Sequence, residues 1–258
     1  MAVSVGARFG EWLVSIERAW IGWSLAPPDR VLAAAPWRPD APGAYCRRCG
    51  GSVGAGEQTP DGCGSCRGHS VLTDRVVRLS AYCEPMRGWV RAIKYRCWAE
   101  MADSLGHRLG AVLASAMRDD ACFDARGAIV VPMPMPWQRR LYRGIDHAGI
   151  IAEAAAAVLR VRVHRLLTVS NGPPQVSLSA SRRSRRAVRM RLRAGSPRLE
   201  GVDVVLIDDV RTSGGSLNAA ARLLRRLGPR WVVAGVLAVT DGPSRRGGDD
   251  LPSFTSGR

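Results

Sequence analysis

The sequence contains almost no lysine, although it is strongly basic. Its 258 residues include 38 basic and 22 acidic ones, for a formal net charge of +16, yet Lys94 is the one lysine. A GC-rich coding sequence, which writes basic residues as arginine, is the simplest explanation for most of this bias. Such a charge favours anionic partners, including phosphates and nucleic acid. The bias does not explain why one lysine remains at position 94.

The sequence also lacks a long apolar run and a recognisable export signal. No uncharged apolar stretch reaches the ~18 residues that a membrane span requires, and the best candidate, 19–28, ends in two prolines. Glu11, Glu17 and Arg18 interrupt the amino-terminal segment, which therefore does not resemble a secretory signal. We expect a cytoplasmic protein without a membrane span. Disulfides are rare in that compartment, so metal binding is the first explanation for the cysteines.

Four of the seven cysteines form two C-x2-C pairs separated by thirteen residues: Cys46, Cys49, Cys63 and Cys66. Four thiolates at this spacing can surround one tetrahedral zinc ion and leave no position open for water. The pattern predicts a structural zinc site whose metal contributes to folding, with a redox pair or a chance grouping as alternatives. The remaining cysteines, Cys83, Cys97 and Cys122, are predicted to be small buried side chains.

Composition divides the chain into four segments. Residues 1–44 are predicted to be an amphipathic helix followed by a proline-rich linker. Residues 45–70, called the cysteine module below, hold the predicted zinc site. Residues 71–240 alternate between strand and helix patterns, which predicts an α/β domain with a parallel sheet. Residues 241–258 are expected to be a disordered tail.

The α/β segment is predicted to begin with helical structure and to continue with short buried strands. Its predicted elements are helical structure from 71 to 125, strands at 128–131, 161–169, 202–207 and 231–239, helices at 146–160 and 216–227, and an irregular stretch at 170–200.

The segment 204–216 carries the clearest functional signal. A buried strand ends at Asp208 and Asp209, and open α/β sheets bind ligands at such strand ends. A loop of small residues and hydroxyls follows and precedes a helix: Thr212, Ser213, Gly214, Gly215 and Ser216. Backbone N–H groups of this loop and the helix N-terminus can bind a phosphate, while the carboxylates suit sugar hydroxyls or a metal. A sugar phosphate would satisfy both groups.

The scarcity of lysine excludes two other classes of phosphate-handling protein. A nucleotide P-loop requires a lysine directly after its glycines, and no lysine follows Lys94. A phosphorylation receiver domain also pairs aspartates after a strand, but it places them near its start and requires a later lysine. A helix-capping turn alone would explain Ser216 and leave the two adjacent carboxylates unexplained.

These segments, taken in order, resemble the ComF-type phosphoribosyltransferase-like family. Residues 204–216 resemble the site for 5-phosphoribosyl 1-pyrophosphate (PRPP) in type I phosphoribosyltransferases, and the four paired cysteines resemble the zinc ribbon of ComF proteins. Further matches follow in family order: Tyr82, Lys94, Tyr95, Val131–Pro134, Arg143, Gly144, Gln175, Leu178, Ser179 and Arg183. The chain departs from the family pattern at five positions: Ile145, Asp146 and His147 replace Phe, Asn and Gln, Ser213 replaces Thr, and Arg186 replaces Asn.

The resemblance implies a type I phosphoribosyltransferase-like parallel sheet flanked by helices, with a small amino-terminal zinc ribbon. It implies that Asp208 and Asp209 bind the ribose hydroxyls of PRPP and that Arg183 and Lys94 also take part in catalysis. The residues implied to bind the phosphate groups are Arg143, Val210, Arg211, Thr212, Ser213, Gly214, Gly215 and Ser216. Mg²⁺ is implied as a bridge between pyrophosphate and ribose oxygens.

The implied activity is transfer of phosphoribose from Mg-PRPP to an amine or nucleobase, with release of pyrophosphate. Seven arginines between 182 and 193 lie where the family has a flexible loop over PRPP, although most of them also fit a solvated basic face. The alternative is a non-catalytic protein of DNA uptake that uses PRPP as a sensor ligand. Its partners would be single-stranded DNA or proteins of DNA uptake and recombination. A third possibility is a scaffold for a protein partner.

Overall fold

The computed structural model describes residues 26–54, 56–57, 59, 61–66, 70–119, 127–137, 140, 143–169 and 190–241. The amphipathic helix expected within 1–25 lies outside the described residues. So do Arg183, the greater part of the arginine-rich stretch, Cys122, and the tail beyond 241. Those expectations therefore stay predictions.

The chain forms two compact units, Met1–Pro36 and Trp37–Arg258. The described part of the first unit contains helix α1 (Pro28–Ala34), within the stretch predicted to be a linker. Pro28 is compatible with this helix because it occupies the first turn, where its missing N–H is not needed. The second unit contains both the cysteine module and the sheet.

The second unit is built on a five-stranded parallel sheet. The described strands are β1 (Arg75–Ala81), β2 (Ala128–Pro132), β3 (Arg162–Val163), β4 (Leu167–Val169), β5 (Met190–Leu192), β6 (Asp203–Arg211) and β7 (Trp231–Val239). The order in the sheet is β1-β7-β6-β2-β3, and β4 pairs with β5 in a separate antiparallel ribbon. The central strands β6 and β7 are rich in valine, leucine and isoleucine because they are buried on both faces.

Helices cover both faces of the sheet. They are α2 (Met86–Tyr95), α3 (Ala99–Asp119), α4 (His147–Leu159) and α5 (Gly215–Leu224), followed by a 3₁₀ turn at Arg225–Leu227. Helices α3 and α4 approach closely, because a Cβ atom at Gly106 would lie 2.8 Å from the carbonyl oxygen of Ile151. No helix within the described residues is long and apolar enough to cross a membrane.

The prediction of helical structure from residue 71 onward was wrong at its start, because Arg75–Ala81 is strand β1. Arg75 and Arg78 interrupt the apolar pattern of this strand, and both are buried. The Arg75 guanidinium donates a hydrogen bond of 2.7 Å to the carbonyl of Ala116, at a separation of 41 residues. A local sequence pattern does not reveal a partner so distant along the chain, so it did not predict strand β1.

Three other expectations are corrected. The strand predicted at 161–169 is divided between β3 in the sheet and β4 in the ribbon. Cys83 and Cys97 are exposed rather than buried, since both lie in connections at the ends of α2. The predicted strand at 202–207 is also longer than expected and continues to Arg211.

Candidate functional site

The four cysteines that the sequence pairs lie together in the cysteine module. Their sulfur atoms are all within 4.8 Å of one another, and all four residues are buried. The Cys46–Cys66 and Cys49–Cys63 sulfur separations are 3.6 and 3.7 Å. Four sulfurs bound at about 2.3 Å to a tetrahedral zinc ion would be roughly 3.8 Å apart, so this donor set fits zinc. Hydrogen bonds from the Cys49 thiol and from backbone amides lower the pKa of Cys46 to about 4.

The cysteine module lies against the edge strand β1. The amide of Val76 donates a 2.7 Å hydrogen bond to the carbonyl of Arg47. Gly50, which has a φ of +74°, approaches so closely that a Cβ there would lie 2.7 Å from a methyl carbon of Val76. A turn that combines positive φ with this contact requires glycine. The module therefore covers a sheet edge that would otherwise be open to pairing.

A buried arginine holds the module to the sheet. The guanidinium of Arg78 on β1 donates to the carbonyl of Gly50 at 2.7 Å and to the hydroxyl of Ser52 at 3.0 Å. It also pairs with Asp40 at 2.7 Å. Asp241, where the tail was expected to begin, accepts hydrogen bonds from the amide and hydroxyl of Ser52 at 2.8 and 2.7 Å. These contacts satisfy a charge that would otherwise be costly to bury.

The second polar cluster is centred on Asp209 in β6. Its Oδ1 atom lies 3.1 Å from the Nζ atom of Lys94 on α2, and its Oδ2 atom lies 2.8 Å from Nε2 of His147 on α4. The side chains of Asp209 and His147 are only 7% and 5% exposed. Burial pushes the pKa of Asp209 upward, but the contacts with His147 and Lys94 together outweigh it and hold the pKa below its ordinary value.

The adjacent Asp208 has a different environment. It is half-buried, and its Oδ1 atom accepts a hydrogen bond of 2.9 Å from the backbone N–H of Asp209. No cationic side chain pairs with it among the described residues. Burial, followed by the negative charge of Asp209, raises the pKa of Asp208 to about 7.

The loop after β6 is open at the start of α5. Gly214 occupies the N-cap position with a φ of +78°, and no side chain caps the helix there. Thr212, Ser213 and the first residues of α5 are exposed. The guanidinium of Arg211 lies against Gly214, since a Cβ at that glycine would be 2.8 Å from Nη2 of Arg211. Backbone N–H groups at a helix start without a side-chain cap, beside a guanidinium, make this loop suitable for an anion.

Asp146 and His147, where the chain departs from the ComF pattern, both make polar contacts in the structure. Asp146 caps α4, because its side chain accepts a hydrogen bond from the amide of Gly149 at 3.2 Å. It also accepts a 2.6 Å hydrogen bond from Arg165. His147 follows as the first residue of α4 and contacts Asp209. Asp146 therefore fixes the helix end that presents His147.

Most of the described site residues converge at the carboxyl end of β6. Lys94 and His147 contact Asp209 directly, and Nη1 of Arg143 lies 3.4 Å from Nε2 of His147. The Arg143 guanidinium also lies over the ring of Tyr95, which is 64% exposed, at 5.9 Å from its centroid.

Of the other predicted site residues, two lie at the end of β6 and one lies outside the described residues. Val210 and Arg211 end β6 and lead directly into the loop, whereas Arg183 lies outside the described residues. His147 was given no role by the sequence. The one available signal was its place in the segment that resembles the family pattern after Arg143.

Comparisons with known proteins agree with this geometry. Residues 144–254 match the family model for the phosphoribosyl transferase domain. An adenine phosphoribosyltransferase of Mycobacterium marinum is 38% identical over 108 residues, which cover 42% of this chain and 58% of that protein. The chain thus spans less than two thirds of that relative's length.

Two further relatives match over more of the chain at lower identity. Competence protein F of Haemophilus influenzae is 25% identical over 187 residues, or 71% of this chain and 80% of that protein. The DNA utilization protein YhgH of Escherichia coli is 25% identical over 172 residues, or 66% of this chain and 74% of that protein.

The parallel sheet flanked by helices and the domain match define a protein with a type I phosphoribosyltransferase-like fold. More particularly, the chain is homologous to Competence protein F and to YhgH, and it carries four clustered cysteines consistent with a zinc ribbon. The resemblance to ComF-type proteins that the sequence predicts is confirmed at this level.

Replacing a cluster cysteine should remove the metal and weaken the fold. Cys46→Ser should lower bound zinc from about one equivalent to near zero and reduce the free energy of unfolding by several kcal/mol, because metal binding contributes to folding. Zinc content by mass spectrometry and thermal unfolding measure both effects. The control is Cys83→Ser, at an exposed cysteine outside the cluster. Equal zinc content in the two variants would contradict a zinc site.

The raised pKa of Asp208 should make stability depend on pH. The folded protein binds this proton more tightly than the unfolded chain, so stability falls as pH rises from about 4 toward 7. Asp208→Asn removes the titration, and its free energy of unfolding should exceed the parent's by about 2 kcal/mol at pH 8. The gap should shrink toward pH 4.5 in urea titrations. Asp103→Asn, at an exposed carboxylate on α3, should show no such trend; a gap that stays constant with pH for Asp208→Asn would contradict the shift.

Proposed function

We propose that the protein binds Mg-PRPP and transfers phosphoribose to an amine or nucleobase with release of pyrophosphate. The observation that carries the proposal is the carboxyl end of β6. There the acidic pair Asp208 and Asp209 is followed directly by an uncapped loop of small residues at the start of α5. The phosphoribosyl transferase domain match covers this segment.

The two halves of the site suit the two halves of a ribose phosphate. The Asp208 carboxylate can accept hydrogen bonds from ribose hydroxyls, while the N–H groups and hydroxyls from Thr212 to Ser216 can donate to the 5′-phosphate. The guanidinium of Arg211, held against Gly214, adds positive charge beside that phosphate. The sugar would thereby be fixed at both ends, with its anomeric carbon between them.

The residues present also fit a magnesium ion that arrives with PRPP. Asp208 is a hard oxygen donor, and no cationic side chain of the described residues pairs with it, so a divalent cation nearby would be favoured. When bound, Mg²⁺ would neutralise charge on the pyrophosphate. The guanidinium groups of Arg140, which is exposed, and Arg143, which is half-buried, would hold the pyrophosphate oxygens.

The chemistry is displacement at the anomeric carbon. The bond from this carbon to the pyrophosphate oxygen breaks as the acceptor's nitrogen forms its own bond, and the nitrogen then loses a proton. Positive charge develops on the ribose ring, so positioning and stabilisation of the departing pyrophosphate provide the rate enhancement. Arginine suits this task because its guanidinium binds two phosphate oxygens at once.

A second candidate function is DNA binding in DNA uptake. The names Competence protein F and DNA utilization protein of two relatives, together with the net charge of +16, favour it. Arg191 and Arg193 are exposed at β5 and belong to the arginine-rich stretch. The two functions are compatible, because PRPP could act as a sensor ligand for a DNA-binding protein.

Calorimetry with Mg-PRPP tests the proposed function. The parent should bind PRPP, and Asp208→Asn should weaken binding at least tenfold, because the ribose hydroxyls lose a charged acceptor (about 1.4 kcal/mol or more). Asp103→Asn is the matched control on α3. Release of pyrophosphate is then measured with a panel of amines and nucleobases. Absence of PRPP binding by the parent would overturn the proposal, and binding without pyrophosphate release would overturn its catalytic part.

DNA binding is tested with two arginine pairs of equal charge. Replacing Arg191 and Arg193 with Gln should weaken binding of a single-stranded oligonucleotide and reduce the slope of log K against log salt by roughly 1 to 2. Replacing Arg108 and Arg118, exposed on α3, with Gln is the control. Equal losses from both pairs would indicate that net charge alone, and no defined surface, attracts DNA.

A further inference from the structure

We infer that the two adjacent carboxylates have different tasks: Asp209 is a positioning residue clamped by Lys94 and His147, and Asp208 alone meets the ligand. The ribose as ligand rests on the proposed function, whereas the clamp rests on contacts within the protein. The family resemblance had implied the same task for both carboxylates.

The side chains of Asp208 and Asp209 point in opposite directions. Because β6 continues to Arg211, both aspartates lie within the strand, and successive side chains of a strand point to opposite faces. Val204 and Leu206 share a buried cluster with Leu217 and Leu224 of α5. Asp208 follows them at a spacing of two and therefore points to the face of α5 and its anion-binding loop.

Asp209 points to the other face, toward α3 and α4. Ile207 precedes it at a spacing of two and lies near Leu113 of α3, since a Cβ atom at Gly235 would be 2.8 Å from the first side chain and 3.0 Å from the second. Asp209 continues this row and meets His147 at the start of α4. A ligand held on the face of α5 would therefore meet the side chain of Asp208.

Both carboxylate oxygens of Asp209 already face a polar side chain. Oδ1 lies 3.1 Å from Nζ of Lys94, and Oδ2 lies 2.8 Å from Nε2 of His147. A nitrogen lone pair would not approach a carboxylate oxygen so closely, so we assign a hydrogen to Nε2. The contact is mainly electrostatic, since Oδ2 makes no hydrogen bond of standard geometry within the described residues.

Within the described residues, no polar partner other than Asp209 explains the burial of His147. Its Nδ1 atom is buried and makes no hydrogen bond within the described part of the chain. Nη1 of Arg143 lies 3.4 Å from the same Nε2 atom that faces Asp209, and a nitrogen that carries hydrogen cannot accept from it. Arg143 is therefore a neighbouring charge, and the imidazole is committed to Asp209.

Lys94 completes the clamp, which gives the single lysine a task. Its side chain is 20% exposed and reaches a carboxylate that is 7% exposed. A compact ammonium on an unbranched stem fits such a position, whereas a planar guanidinium is wider and would displace its neighbours. Asp208, in contrast, has only the backbone N–H of Asp209 as a partner in the described residues, so its carboxylate is available to a ligand.

The test compares thermal unfolding with Mg-PRPP affinity across single variants. Asp208→Asn should lose PRPP affinity at least tenfold and keep or raise the parent's Tm. Asp209→Asn should lower Tm by more than about 5 °C, because it leaves Lys94 and His147 without their anion. If Asp209→Asn keeps the parent's Tm and loses only affinity, as Asp208→Asn does, the division of tasks is wrong.

His147 provides a test that leaves Asp209 in place. His147→Ala should weaken PRPP binding and lower Tm, and His147→Gln should restore both, because its amide N–H can still donate to the carboxylate. An affinity in His147→Gln no better than in His147→Ala would overturn the positioning role. If the parent itself fails to bind Mg-PRPP, the proposed function fails, but the Tm values of the same variants still decide whether the clamp exists.

Discussion

The site depends on one buried negative charge, the carboxylate of Asp209. A carboxylate on a central strand, removed from water, must be offset by cations or donors close to each oxygen. Lys94 and His147 supply these groups from α2 and α4, at 3.1 and 2.8 Å. The three elements are far apart along the chain, so this contact fixes their relative positions. Asp208 and the loop at Gly214 acquire their geometry from the strand that the contact anchors.

A second buried charge has a corresponding role at the edge of the sheet. Arg78 on β1 is 2% exposed and reaches the cysteine module through Gly50 and Ser52. The module in turn covers β1, and its four buried sulfurs, all within 4.8 Å of one another, are suited to a tetrahedral zinc ion. Folding of the cysteine module and completion of the sheet are therefore linked by the same guanidinium. Both buried charges connect segments that no local pattern would bring together.

Much of the fold followed from periodicity, because its strands and helices have uninterrupted patterns. The strand at 231–239 is an unbroken apolar run, and the helix after 146 is rich in alanine, so both could be predicted. Strand β1 could not, since its arginines are satisfied by partners outside the strand. The exposure of Cys83 and Cys97 could not be predicted for a related reason. Cysteine is usually buried, but these two lie in the connections before and after α2, which are exposed at both cysteines.

By itself the sequence determined which functional groups the protein contains: paired cysteines, adjacent aspartates, a loop of small residues, and one lysine among many arginines. These depend on spacing along the chain, which the sequence contains in full. Only the tertiary structure decided how the groups are divided. Because β6 extends past Asp208 and Asp209, the two side chains point to opposite faces, and in the described part of the chain the cationic and imidazole groups of α2 and α4 contact Asp209 and not Asp208. Where a strand ends, and which helices pack beside it, depends on tertiary packing. A local segment of sequence does not contain that information.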